Sequence, residues 1–246
     1  DVAGMSLTSR ISKNLQGKIG YRRRHVSAPA YNTQHDDSDW GMAELKVNSA
    51  PAVVQLRYQV ELSRRNGLQY EANNRLVDGG SPESRRHWFS TFGSFFLGKG
   101  VTASAHYAYA NRQFEQDLAY DSFGGEELFI SDPGVSYREE VHTLGADLDV
   151  EVTEWLEFGA LAEYADSRAG FQSNLDDEEG QLGAISRMRL RQARYSGRVI
   201  VHLPEHWRVG ATATYFDNTN LRNRPLNPQR DGEAMIVMGH LGKSWQ

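Results

Sequence analysis

The residues His142-Thr143-Leu144-Gly145-Ala146-Asp147-Leu148-Asp149-Val150-Glu151-Val152 alternate without a break. His142, Leu144, Ala146, Leu148, Val150 and Val152 fall on one face of an extended chain; Thr143, Gly145, Asp147, Asp149 and Glu151 fall on the other. A strand shows one face every second residue, whereas a helix needs a period of about 3.6. The segment is therefore a strand with one apolar and one polar face. Residues 52–62 read the same way, with Ala52, Val54, Leu56, Tyr58, Val60 and Leu62 against Gln55, Arg57, Gln59 and Glu61.

Outward from these segments one unit recurs five times: a short turn, alternate apolar residues, then a tyrosine six to eight residues on. The runs are Leu15, Gly17, Ile19 to Tyr21; Ala52, Val54, Leu56 to Tyr58; Val101, Ala103, Ala105 to Tyr107; Leu156, Phe158, Ala160, Ala162 to Tyr164; and Val209, Ala211, Ala213 to Tyr215. Tyr195 joins the same aromatic girdle. An apolar outer band ringed by aromatics is the pattern of a strand wall facing lipid. A soluble antiparallel protein with one buried face calls instead for large Ile, Leu and Phe at those positions. The expected fold is all-β, an antiparallel transmembrane β-barrel, with 1–246 a single domain.

Short turns fall at 13–14, 48–51, 98–100, 153–154 and 204–205, and longer polar stretches at 27–39, 66–85, 117–138, 170–180 and 221–232. Asp78-Gly79-Gly80, Pro133-Gly134 and Asp231-Gly232 supply turn formers in the long stretches. Short turns at one end and long loops at the other is the asymmetry of bacterial outer-membrane barrels. The strands expected are 4–13, 15–25, 39–48, 51–64, 86–97, 100–114, 139–152, 155–168, 186–203, 206–219 and 233–243. Eleven is odd, and the last strand runs down to a short turn at Gly242-Lys243, so about 10–12 strands of a larger barrel are expected.

Bulk properties narrow the class. Mean hydropathy is -0.61. No stretch approaches the ~18 apolar residues of a spanning helix. A barrel stays open, because only half of each strand meets lipid. Net charge is -5, against nucleic acid as a partner. There is no cysteine, hence no disulfide framework or thiolate metal site.

The polar faces nominate the residues lining an interior. Arg10, Lys18, Arg22 and Arg24 come first, then Glu44, Lys46, Arg57 and Glu61, then His106 and Arg112. Asp147, Asp149, Glu151, Glu157 and Glu163 read as an acidic wall; Arg194, Arg198, His202 and Arg208 read as a basic one. Two readings stand: lumen charges that tune passage, or an ion-pair lattice that stiffens the wall. Above the girdle, Arg187, Arg189 and Arg191 suit lipopolysaccharide phosphate or another anion, since guanidinium pairs bidentately with such groups. Arg22-Arg23-Arg24 and Arg85-Arg86 lie at similar heights.

No catalytic constellation is legible, and no enzyme activity is expected. The eight histidines are scattered, and none has zinc-helix spacing. His35 beside Asp36 and Asp37 reads as a solvated turn on an exposed loop, and Asp176-Asp177-Glu178-Glu179 as a charged loop tip without ordered calcium-ligand spacing. No catalytic or metal residue is assigned.

The strand ends Tyr107-Ala108-Tyr109-Ala110-Asn111-Arg112, Tyr164-Ala165-Asp166-Ser167-Arg168 and Tyr215-Phe216-Asp217-Asn218 resemble those of the MtrB/PioB family. That resemblance implies a barrel in the bacterial outer membrane, contacting its lipid and lipopolysaccharide, that sheaths a periplasmic multihaem cytochrome. Haem would belong to the partner, since this chain has no CxxCH site and is expected to bind no cofactor. Polysaccharide exporters end their strands similarly. The functions in view are a polar-lined channel, a structural sheath for transmembrane electron transfer, and a polysaccharide export pore.

Overall fold

Alternation carried from strand to strand produces one antiparallel sheet. The computed structural model describes residues 1–27, 35–65, 69–72, 75–78, 80–121, 129–172, 187–221 and 231–243. The strands are β1 (Val2–Arg10), β2 (Leu15–His25), β3 (Asp37–Ser49), β4 (Ala52–Arg64), β5 (Gln69–Ala72), β6 (Arg75–Asp78), β7 (Glu83–Gly98), β8 (Val101–Asp121), β9 (Phe129–Thr153), β10 (Leu156–Gln172), β11 (Met188–Leu203), β12 (Trp207–Asn220) and β13 (Gly232–Lys243). Eleven of them form a meander in the order β1-β2-β3-β4-β7-β8-β9-β10-β11-β12-β13, while β5 and β6 make a separate hairpin. The sheet does not close, and β1 and β13 are its edges. Among the described residues no helix is long and apolar enough to cross a membrane.

Three expectations need correction. Residues 117–138 are not all loop: β8 continues to Asp121 and β9 begins at Phe129, so Pro133-Gly134 lies inside a strand rather than in a turn. The register shifts between Gln116 and Leu118, which pair with Val135 and Asp132. One residue there opposes two, and a bulge tolerates a proline that lacks an N–H for the ladder. The 66–85 stretch likewise holds the β5–β6 hairpin. The first turn is wider than read, because β1 stops at Arg10 and the Ile11 N–H donates to the Leu15 carbonyl at 2.9 Å. At the 98–100 turn, Gly98, Lys99 and Gly100 all have positive φ (88°, 53° and 74°), the left-handed region that favours glycine. A Cβ at Gly100 would also lie 2.7 Å from that of Glu151.

One layer of sheet leaves almost no core. Among the described residues only Met42 and Val135 are buried hydrophobics, whereas Leu7, Leu144, Val237 and Leu241 are each about 60% exposed or more. A soluble sandwich would cover one such face with a second sheet. Here the apolar face continues through paired neighbours, Ala103–Leu148–Ala160 and Tyr107–Leu144–Tyr164, and among the described residues no other element packs on it.

Register supplies the tilt that a barrel needs. Leu15, at the foot of β2, is linked by successive direct pairs through Val47, Val54, Gly93, Ala105, Ala146, Ala162 and Tyr195 to Tyr215, eight residues above the foot of β12 at Trp207. That stagger is about 26 Å along the strands against about 38 Å across them, a tilt of roughly 35°. The girdle tyrosines consequently occupy successive hydrogen-bond rows while keeping a similar height above their turns. The architecture is that of an antiparallel transmembrane β-barrel, with the 11-stranded sheet as a segment of its wall.

Candidate functional site

The face opposite the apolar one carries the charges. Alternation and pairing put Arg10, Lys18, Arg22, Arg24, Glu44, Lys46, Arg57, Glu61, His106, Arg112, Asp147, Asp149, Glu151, Glu157, Glu163, Arg194, Arg198, His202 and Arg208 on that one side of the sheet. Side chains directly opposite on neighbouring strands are close enough to interact.

The acidic and basic walls are not separate surfaces. β10 and β11 are neighbours, so the walls meet and join. One Arg198 Nη lies 2.7 Å from Asp149 and 3.1 Å from Glu157, and His202 Nε2 lies 3.7 Å from the other Glu157 oxygen. Glu163 Oε2 lies 3.5 Å from Arg194 Nη2 and 3.3 Å from His106 Nε2. The Ser104 hydroxyl donates to Asp147 at 2.7 Å. Expected sign segregation becomes an interleaved lattice over four strands, because the register sets Arg194 directly across from Glu163 and Arg198 within reach of Asp149 and Glu157.

Glycines make that lattice possible, which the sequence reading missed. Gly159 lies between Arg198 and Asp149, and a Cβ there would sit 2.5 Å from Arg198 Nε and 2.8 Å from Asp149 Oδ1. Arg198 reaches its acid only by crossing a residue with no side chain. Gly145 likewise leaves room for the His106 ring. The signal was present as a glycine between strands of opposite charge, yet its meaning depends on register.

Nearer the long-loop end the polar face is cationic. A direct-pair row runs Arg22, Trp40, Glu61, Arg86, Arg112 and Glu139. The Arg22 guanidinium lies 5.3 Å from the centroid of the Trp40 ring, and Arg86 lies 3.7 Å from Glu61. His35 sits half-buried over this row with its ring 6.2 Å from Phe114, not on a solvated turn as expected. The segment entering β3 folds back over the polar face, where burial, with Arg86, Arg112 and Arg24 nearby, holds the imidazole below the ordinary histidine range against the pull of Glu61. Asp176-Asp177-Glu178-Glu179 lies outside the described residues. Among the described residues no group of three His, Cys, Asp or Glu is placed to hold a metal ion.

The girdle tyrosines are on the apolar face. Tyr21 donates to Asp39; Tyr58 and Tyr107 bond His87 and His142 through Nδ1 at 2.7 Å and 2.9 Å; Tyr195 stacks on Tyr215 with centroids 6.5 Å apart. Tyr164 is 43% exposed with its ring on the same face. Tyr21, Tyr58 and Tyr107 thus each have an apolar body and a polar partner further from the short turns, as suits an interface between lipid and water.

No protein-family model and no curated protein matches the chain. Solved structures do. The ferric yersiniabactin uptake receptor FyuA of Yersinia pestis aligns over 98% of this chain and 40% of its own, at 12% identity and a TM-score of 0.56. FpvA of P. aeruginosa, solved bound to a pyoverdine, aligns over 98% and 37% at 7% identity with a TM-score of 0.59. BauA, the ferric preacinetobactin receptor of Acinetobacter baumannii, aligns over 98% and 42% at 12% identity with a TM-score of 0.56. The likeness is one of fold, and this chain spans about two fifths of the length of these barrels.

Proposed function

We propose that this chain is part of an outer-membrane β-barrel in a bacterium and that the barrel forms a polar-lined conduit for a charged or polar solute. The observation carrying this is the two-sided wall: an apolar, girdled face on which no other described element packs backs onto a face crowded with charge. Lipid on one side and water on the other is the environment that satisfies both. The unpaired edges of β1 and β13 are the places where further strands complete the ring. The solved structures of like fold include an uptake receptor for ferric yersiniabactin, a ferric preacinetobactin receptor and a copper transporter, which agrees with a role in passage.

The test is electrical. The intact barrel in a planar bilayer is expected to conduct, and Arg198→Gln is expected to shift its selectivity toward cations. That change leaves Asp149 and Glu157 without the guanidinium they share. Failure of the intact barrel to conduct refutes the conduit. The strand-end sequences favour a second reading, a sheath around a periplasmic multihaem cytochrome. It predicts little conductance and stoichiometric haem absorbance travelling with barrel purified gently from its own membrane; colourless, intact barrel refutes it.

A further inference from the structure

Above the girdle the apolar face ends in a cluster of guanidiniums. Asp166 lies two residues beyond Tyr164 on the same face, paired opposite Arg191 on β11 and His142 on β9. Its carboxylate holds three arginines: Arg189 Nη2 at 2.9 Å, Arg191 Nε at 3.3 Å and Arg168 Nε at 3.3 Å. Beside them a groove of about 470 Å³ is lined by Arg138, Glu140, Arg168, Arg187 and Arg189. Glu140 accepts from Arg138 at 2.6 Å. Five cations thus face two carboxylates. Each guanidinium has five N–H donors, and Asp166 takes only four bonds in all from its three arginines, so most donors stay available to another acceptor.

We propose that this rim binds the phosphate groups of lipopolysaccharide. The inference rests on the outer-membrane reading and on the long-loop end facing outward. Asp166 and its arginines begin about 5 Å above the level of Tyr164, the depth at which headgroup phosphates meet the interface. The site runs from β9 to β11, about 10 Å across, and its surplus charge suits a ligand with more than one phosphate. A phospholipid brings one phosphate; lipopolysaccharide brings several on a rigid sugar frame. Asp166 fans the guanidiniums into a preset array, which lowers the ordering cost of binding.

The test compares lipopolysaccharide with the same material after enzymatic dephosphorylation, each titrated against the intact barrel in phosphatidylcholine nanodiscs with bound lipid counted by native mass spectrometry. Dephosphorylation is expected to weaken binding by ~10-fold or more, and Arg168→Gln with Arg189→Gln to do likewise. Arg187→Gln, which leaves every Asp166 pair in place, is the second variant and is expected to weaken binding while the heat-modifiable band on gels stays unchanged. Equal binding of the dephosphorylated material, or equal competition by phosphatidylglycerol at matched phosphate, overturns the site. The parent reading is checked separately. The 246 residues contain no cysteine, so in a barrel whose other cysteines, where present, are replaced by serine, Ser27→Cys and Asn14→Cys place single thiols at opposite ends of β2. An impermeant maleimide on whole cells is expected to label the first and spare the second. Reversed labelling overturns the orientation; correct labelling with phosphate-blind binding overturns only the lipopolysaccharide site.

Discussion

Leu148→Arg tests which face meets lipid. Leu148 lies on β9 between Ala103 and Ala160, four residues from Leu144 at the girdle and four from Val152 near the foot. It is 42% exposed and its small neighbours offer no cover. From this depth a guanidinium is about 11 Å from either interface at the tilt derived above, beyond what a snorkelling stem spans. An arginine at the bilayer midplane of a barrel costs about 2–4 kcal/mol, a factor of roughly 30 to 900 in the folding equilibrium, falling to about 0–1 kcal/mol near the interface. Val152→Arg, on the same face of the same strand but near the short turn, is the internal control. Both variants of the intact barrel are unfolded by guanidinium in phosphatidylcholine vesicles and followed by tryptophan fluorescence. Leu148→Arg is expected to be less stable than Val152→Arg by at least ~1 kcal/mol. If the two differ by less than ~0.5 kcal/mol, the range of ordinary surface substitutions, the lipid-facing assignment is wrong.

Gly159→Val is expected to destabilise the barrel by about 1–3 kcal/mol in the same unfolding assay, by forcing Arg198 off Asp149. Gly197→Val, on the opposite face with nothing within 4 Å, is expected to be near neutral. At the long-loop rim, hydrogen bonds from Arg189 first, then from Arg191 and Arg168, hold the Asp166 carboxyl down at about 2. Because this pKa lies below the unfolded value near 3.9, its stabilising contribution is full above about pH 4 and is lost as pH falls through about 2. A carboxyl-carbon NMR titration is expected to show that midpoint, and Arg189→Gln to move it upward; an unmoved midpoint refutes the assignment to that pair.

Much of the wall was legible one strand at a time. Residues 142–152 and 52–62 are local statements, since a period of two names both the element and its faces without any knowledge of neighbours. The tyrosine repeat added the girdle for the same reason. The charged site was legible only as a list. Asp149, Glu157 and Arg198 were each assigned to the polar face, yet that they share one lattice follows from β10 lying beside β11 in a single register. Pro133-Gly134 misled because a bulge partner seventeen residues earlier turns a turn-forming pair into a strand. His35 misled because its burial comes from strands far away in the chain.

Periodicity and residue type alone specify a meander of two-faced strands with short turns at one end and an aromatic ring above an apolar band. Those features arise from the stereochemistry of the extended chain and from which side chains tolerate lipid, both local properties. The stagger of the strands, the pairing of acidic with basic walls across Gly159, and the gathering of Arg168, Arg189 and Arg191 around Asp166 arise from the assembled sheet. Each depends on which residues of different strands come opposite, and a shift of one position would send every one of those side chains to the other face.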